Sequence, residues 1–211
     1  MIQVIVQRVE TLAKMIQCWV RRTLPSSLVI GAIACFLAAC LGSAGQAGQA
    51  QSATCPTSSQ WVAAYSGRQI NYPHIFCGEL RDGQLSGFHS RPNGQNPSTV
   101  GQFTITQSAN AQGIYAGQWS YAGSSSPSKF STMFPDPCLA TQVLNSIAYA
   151  EAHRVTCPAG APSWAWCGQN RPTSGSDNSS QFCPARDGTT FIIAGANLSD
   201  GRINTGFPLR Q

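Results

Sequence analysis

His74 and His89 lie fifteen residues apart in a chain that has only three histidines, and Lys129 follows forty residues later. Beyond residue 54 Lys129 is the single lysine, every other cation there being arginine. An imidazole titrates near pH 6.5, so two of them on one cleft can divide general-base and general-acid work at neutral pH. An ammonium beside them can offset negative charge that grows in a transition state. The same three side chains could equally be ordinary packed or surface residues, so the choice rests on their surroundings.

Both histidines fall within "NYPHIFCGELRDGQLSGFHSRP", residues 71–92, which reads as a strand, a turn and an exposed loop. His74 follows Pro73 and leads the apolar pair Ile75 and Phe76, the edge of a core element. His89 sits in "SGFHSRPNG", a loop composition in which imidazoles are rarely needed for packing. Lys129 precedes an apolar run in "SPSKFSTMFP". His153 closes a predicted helix, where a cation suits the helix dipole, and its role reads as structural.

The elements that must hold these residues can be outlined from periodicity. A short helix is expected around "SSQWVAAYSG", with Trp61 and Tyr65 spaced by four. Strands are expected at "TVGQFTIT" and "GIYAGQWSY", followed by a loop at "SSSPSK". From Pro137 to His153 the apolar residues Leu139, Val143, Leu144 and Ile147 recur at helical intervals, with Asp136 placed to favour the positive N-terminus. Residues 155–188 are rich in Pro, Gly, Ser and Asn and read as an irregular insertion stapled by its cysteines. "TTFIIAGAN" and "GRINTGFP", joined by an "SDG" turn, are the closing strands. Together these elements predict an α+β fold.

The first 54 residues read as removable. Arg21 and Arg22 precede "LVIGAIACFLAACLGSA", the layout of an export signal. "LAAC", Leu37 to Cys40, resembles a lipobox, which would make residues 1–40 a signal peptide and Cys40 the lipidated N-terminus. Ordinary cleavage near "GSAGQAGQA" and an uncleaved anchor stay open, and Met15 is an alternative start. Residues 41–54 have the composition of a flexible linker, leaving 55–211 as one domain. Beyond residue 54 nine Arg and Lys face seven Asp and Glu, so the formal +5 of the chain falls to +2. Bulk charge therefore demands no nucleic-acid partner.

Of nine cysteines, six lie in the domain: Cys55, Cys77, Cys138, Cys157, Cys167 and Cys183. After an export signal an even number reads as three disulfides, with 15 connectivities open. No C-x-x-C pair occurs, and the acids are scattered, so no dedicated metal site is indicated.

Two imidazoles and one ammonium are a sufficient set for RNA cleavage without a metal. One imidazole removes the ribose 2′-OH proton, the other protonates the departing 5′-oxygen, and the cation offsets charge on the phosphorane. "HIFCGELRDGQLSGFHS", a lysine followed by "STMFP", a helix and a terminal "NTGFP" occur in that order, and the domain resembles the bacterial EndoU endoribonuclease family. That family shows an "HI…GE" segment, a second histidine in a glycine-rich loop, a "K…STFFP"-like segment and a "TGYP"-like final strand. The similarity covers most of residues 71–209 apart from 155–188, and the spacings of the three residues are similar to those of the family's coronavirus branch.

The resemblance implies helices packed on antiparallel sheets that face a central groove. It implies an endoribonuclease that cuts single-stranded RNA 3′ of uridylates and leaves a 2′,3′-cyclic phosphate. By position, His89 matches the general base, His74 the general acid and Lys129 the stabilising cation. Thr205 matches a residue that bonds the base or orients the site, and Phe207 stands where the family has a base-stacking tyrosine. Phenylalanine keeps the stacking face, worth roughly 1–3 kcal/mol per base, but lacks the hydroxyl, so uridine preference is the weaker part of the expectation. No cofactor is expected, and manganese is expected to stimulate at most. Expected partners are RNA and, for a toxin-like version, an immunity protein. The domain is expected to be a monomer, exported to the periplasm or outer membrane or secreted, and to meet a membrane only through a lipid anchor. The competing reading is a non-catalytic binding lipoprotein with Trp61, Trp119, Trp164 and Trp166 as contact residues. Another exported hydrolase would need a G-x-S-x-G or H-E-x-x-H motif, and neither occurs.

Overall fold

The computed structural model of the chain describes residues 53–55, 60–124, 128–173 and 179–211. The expected export signal, Cys40 and the expected linker up to residue 52 lie outside the described residues. The chain begins with strands β1 (Trp61–Ala63) and β2 (Gln69–Asn71), helix α1 (Tyr72–Phe76) and the hairpin of β3 (Glu79–Arg81) with β4 (Gln84–Ser86). Three longer strands follow, β5 (Val100–Gln107), β6 (Tyr115–Tyr121) and β7 (Lys129–Met133). Helix α2 (Ala140–Ala152) leads into β8 (Arg154–Val155), β9 (Trp166–Gln169), β10 (Ile192–Asn197) and β11 (Ile203–Pro208).

Two main sheets result. One has the order β1-β2-β11-β10-β9-β8, antiparallel except where β11 meets β2 in parallel, and the other is the antiparallel meander β5-β6-β7. The fold is α+β, as the order of elements predicted. Each sheet carries its own apolar cluster. Ile75, Phe76, Val143, Ile147, Ile193 and Ile203 belong to the larger, while Phe88, Val100, Tyr115, Trp119 and Met133 form the smaller. Burying each such side chain removes apolar surface from water and contributes about 1.5–3 kcal/mol.

Helix α2 lies against β11 because Gly206 has no side chain there. A Cβ at Gly206 would come within 2.6 Å of Ile147 Cγ2. The helix begins later than Pro137: the Leu139 N–H is capped by Gln142 Oε1 at 2.8 Å. Asp136 does not serve the helix N-terminus. Its carboxylate accepts hydrogen bonds from the Tyr115 hydroxyl and from Arg91 Nη2.

Two further expectations are corrected. "SSQWVAAYSG" is not a helix where described: it gives β1 and a 3-10 turn at Tyr65–Gly67. The stretch at 155–188 is not wholly irregular, because β8 and β9 extend the larger sheet beyond β10. The six domain cysteines pair as Cys55–Cys77, Cys138–Cys183 and Cys157–Cys167.

Candidate active site

Three segments meet where the two sheets approach. The first is α1. Asn71 caps it, its Oδ1 accepting from the His74 N–H at 3.3 Å, and the Asn71 amide also donates to Asn204 Oδ1 on β11 at 3.0 Å. Pro73 fits the first helical turn, where its missing N–H costs nothing. The second is the loop after β4. The Phe88 N–H donates to the His74 carbonyl and the His89 N–H to the Ile75 carbonyl, each at 2.7 Å. The third is β7, whose following residue Phe134 donates its N–H to the His89 carbonyl at 2.8 Å. Backbone hydrogen bonds thus lace the segments of both histidines and the lysine strand together.

Gly87 makes this approach feasible. Its φ of 73° lies in the left-handed region, and a Cβ there would sit 2.1 Å from the His74 carbonyl oxygen. The Gly87 carbonyl in turn accepts from Lys129 Nζ at 3.3 Å and from Ser131 Oγ at 3.1 Å.

The result is a pocket of about 490 Å³ lined by His74, His89, Lys129, Thr205 and Phe207, with Asn204 and Trp164 at its walls. All five residues named from the sequence for catalysis and substrate binding line it. Two settings differ: His74 lies on helix α1 rather than on a strand, and His89 is buried rather than on an exposed loop. His153 stays outside, its Nδ1 bonded to the Tyr149 carbonyl at the end of α2. Trp119 is buried in the smaller core, and Trp61 lies under the Arg202 guanidinium.

The ring centres of His74 and His89 are 6.2 Å apart, and those of His89 and Phe207 5.2 Å. His89 Nδ1 lies 3.1 Å from the Thr132 carbonyl oxygen, which can only accept. Nδ1 therefore carries the hydrogen, and Nε2 is left as the nitrogen that can take a proton. Burial first, then the charges of Lys129 and His74, hold the His89 imidazole well below its ordinary value. It is neutral at pH 7.

His74 is oriented differently. Its Nδ1 lies 2.8 Å from Glu79 Oε2, and Glu79 Oε1 accepts from Arg81 Nη2 at 2.9 Å. The hydrogen bond from His74 lowers the Glu79 carboxyl below its ordinary value, with further help from the His74 and Arg81 charges. The Glu79 carboxylate accepts from Nδ1 and fixes the ring, which leaves Nε2 as the free nitrogen of His74. Lys129 Nζ is held by Ser131 Oγ at 3.0 Å and the Phe130 carbonyl at 3.1 Å besides Gly87. Burial lowers it to about 8, so it is mostly charged at neutral pH.

Sequence reasoning missed Glu79, Asn71, Asn204 and the Thr132 carbonyl. Glu79 was within reach, five residues after His74 in a chain with eight acids. A backbone carbonyl leaves no mark in a sequence. Among the described residues no group of three or more His, Cys, Asp or Glu side chains could hold a metal ion.

Residues 68–210 match the family of the bacterial EndoU nuclease. No curated protein and no solved structure matches the chain.

Proposed function

The chain belongs to the bacterial EndoU nuclease family, and we propose that it is an exported enzyme cutting single-stranded RNA 3′ of uridylates. His89 Nε2 takes the 2′-OH proton as O2′ attacks phosphorus. The P–O5′ bond breaks while His74 Nε2 gives its proton to the departing O5′, and a 2′,3′-cyclic phosphate remains. Lys129 offsets the extra charge on the phosphorane. Phe207 stacks on the base, and Thr205 bonds its edge or orients it.

One observation carries this reading. Two imidazoles with fixed Nδ1 atoms flank one pocket at 6.2 Å, one neutral and the other on a carboxylate. That spacing lets both free nitrogens reach groups on a single phosphate. Placing two like groups in different surroundings, one on a backbone carbonyl and one on a carboxylate, is how one site divides acid and base steps. No metal is needed in these steps. Export is supported by the pairing of all six domain cysteines, which fits an oxidising compartment. In this reading the domain runs from Cys55 to the end, Cys40 carries the lipid, and the protein works as a monomer.

The test is cleavage of an RNA containing one uridine, run in EDTA and again with manganese. A cyclic phosphate at the uridine in EDTA is expected. Cleavage at every base would remove the uridine preference, and cleavage only with manganese would remove the metal-free mechanism. No cleavage by folded, oxidised protein would favour a binding lipoprotein.

A further inference from the structure

Trp164 lies at the wall of the pocket but takes no part in the proton transfers, and it is not packed into the core. It is 60 % exposed, whereas Trp166 two residues later is 9 % exposed and its indole N–H is fixed on Asn197 Oδ1 at 2.9 Å. An exposed indole at the edge of a pocket offers a bare stacking face. The Cys157–Cys167 disulfide closes the short loop that carries it. A staple of that kind pre-orders a side chain at low entropic cost on binding.

Trp164 also stands at a junction. It lines the pocket of His74, His89 and Lys129, and it lines a second hollow of about 500 Å³ with Arg154, Val155, Trp166 and Asn197. Its ring centre lies 6.0 Å from that of Phe207, with the planes inclined at 59°. Rings inclined so strongly cannot sandwich one base between parallel faces. Each offers a platform to a base of its own, and successive bases on successive aromatic rings are how single strands are held.

The charge around the second hollow has the matching sign. Arg154 donates to Glu151 Oε1 at 2.8 Å, and Arg68 Nη2 lies 3.1 Å from Oε2 as an ion pair without hydrogen-bond alignment. Two guanidinium groups on one buried carboxylate leave positive charge over. About half of the Arg154 side chain faces solvent, and its guanidinium lies 5.9 Å from the Trp166 ring centre.

We propose that Trp164 and Arg154 form a second nucleotide subsite: Trp164 stacks the base next to the one on Phe207, and Arg154 meets the adjoining phosphate. This rests on reading the main pocket as the site of RNA cleavage, and it makes the cysteine-stapled stretch part of substrate recognition.

The experiment uses the full-length oxidised chain and fluorescently labelled RNA whose only uridine is 2′-deoxy, so that binding is read without cleavage. In companion oligonucleotides the 5′ or the 3′ neighbour of the uridine is abasic. Removing the base at one neighbour should weaken wild-type binding roughly tenfold. In Trp164→Ala the same removal should cost about twofold or less, while Trp164→Phe, which keeps a stacking face, should retain most of the wild-type effect. The abasic position that shows the coupling identifies the neighbour. Arg154→Gln should reduce the slope of log affinity against log salt by about one. Equal abasic penalties in wild type and Trp164→Ala, or no binding by folded wild type, would overturn the subsite. Coupling at Trp164 without cleavage of the ribose form would leave the subsite standing and end the endoribonuclease reading.

Discussion

His89 has to satisfy two demands in the proposed mechanism: it must be neutral, and it must present one nitrogen. The Thr132 carbonyl meets the second by occupying Nδ1, and burial meets the first. His74 has its Nδ1 held instead by the Glu79 carboxylate. Lys129 carries the pH-dependent part of the site, because burial lowers it to about 8. As pH rises through that value the ammonium loses its proton and the phosphorane loses its cation. An arginine stays charged throughout, although its planar fork is a poorer fit than a point charge. Lys129→Arg should therefore be slower at pH 7, and the ratio of wild-type to variant kcat/KM should fall as pH passes about 8. A ratio that stays constant from pH 6.5 to 9.5 would remove Lys129 from the charge-stabilising role. Residue types and order made His74, His89 and Lys129 visible in the sequence. The groups that hold the two Nδ1 atoms were harder to see: one is a backbone carbonyl, and Glu79 stands out only by lying five residues after His74.

The turn after β4 decides whether the three groups meet. Gly87 brings the backbone against the His74 carbonyl and offers its own carbonyl to Lys129. Gly87→Ala would place a methyl 2.1 Å from that oxygen in a left-handed conformation, so the loop must move. Activity is expected to fall at least tenfold, as small displacements of catalytic groups can cost about 10²-fold. The Tm should drop as well, and undiminished kcat/KM would show that the contact is dispensable. Helix α2 and the β10–β11 hairpin were legible because apolar periodicity and the "SDG" turn agree with the local geometry. Strand β1 was misread: Trp61 and Tyr65 mimic helical spacing, and three residues are too few to show alternation. Strands β8 and β9 were hidden because "RV" and "WCGQ" carry no strand pattern, and pairing with β10 makes them strands. That is tertiary context overriding local propensity.

Across the whole domain the site lies between two apolar clusters, with α1 and β11 built on the larger and the Phe88–His89 turn and β7 on the smaller. Its geometry therefore depends on both staying folded. The disulfides close loops of 22, 45 and 10 residues. Loop-closure entropy gives each on the order of 3–4 kcal/mol, a large share of the ~5–15 kcal/mol typical of a domain. Reduction should lower the Tm by well over 10 °C in calorimetry, and an unchanged Tm would show that the bridges are incidental. Acid should weaken the fold too. His89 takes up its proton less readily folded than unfolded, so stability falls as pH drops below about 6.5. The central claim is that His89 draws the proton from a ribose 2′-OH. Its most direct test is the mass of the products from a single-uridine RNA in EDTA, with wild type beside His89→Ala. The account predicts a 2′,3′-cyclic phosphate from wild type and a loss of about 10²–10⁴-fold in the folded variant. A variant that cleaves as fast as wild type, or wild-type products ending in a plain 3′-hydroxyl, would contradict it.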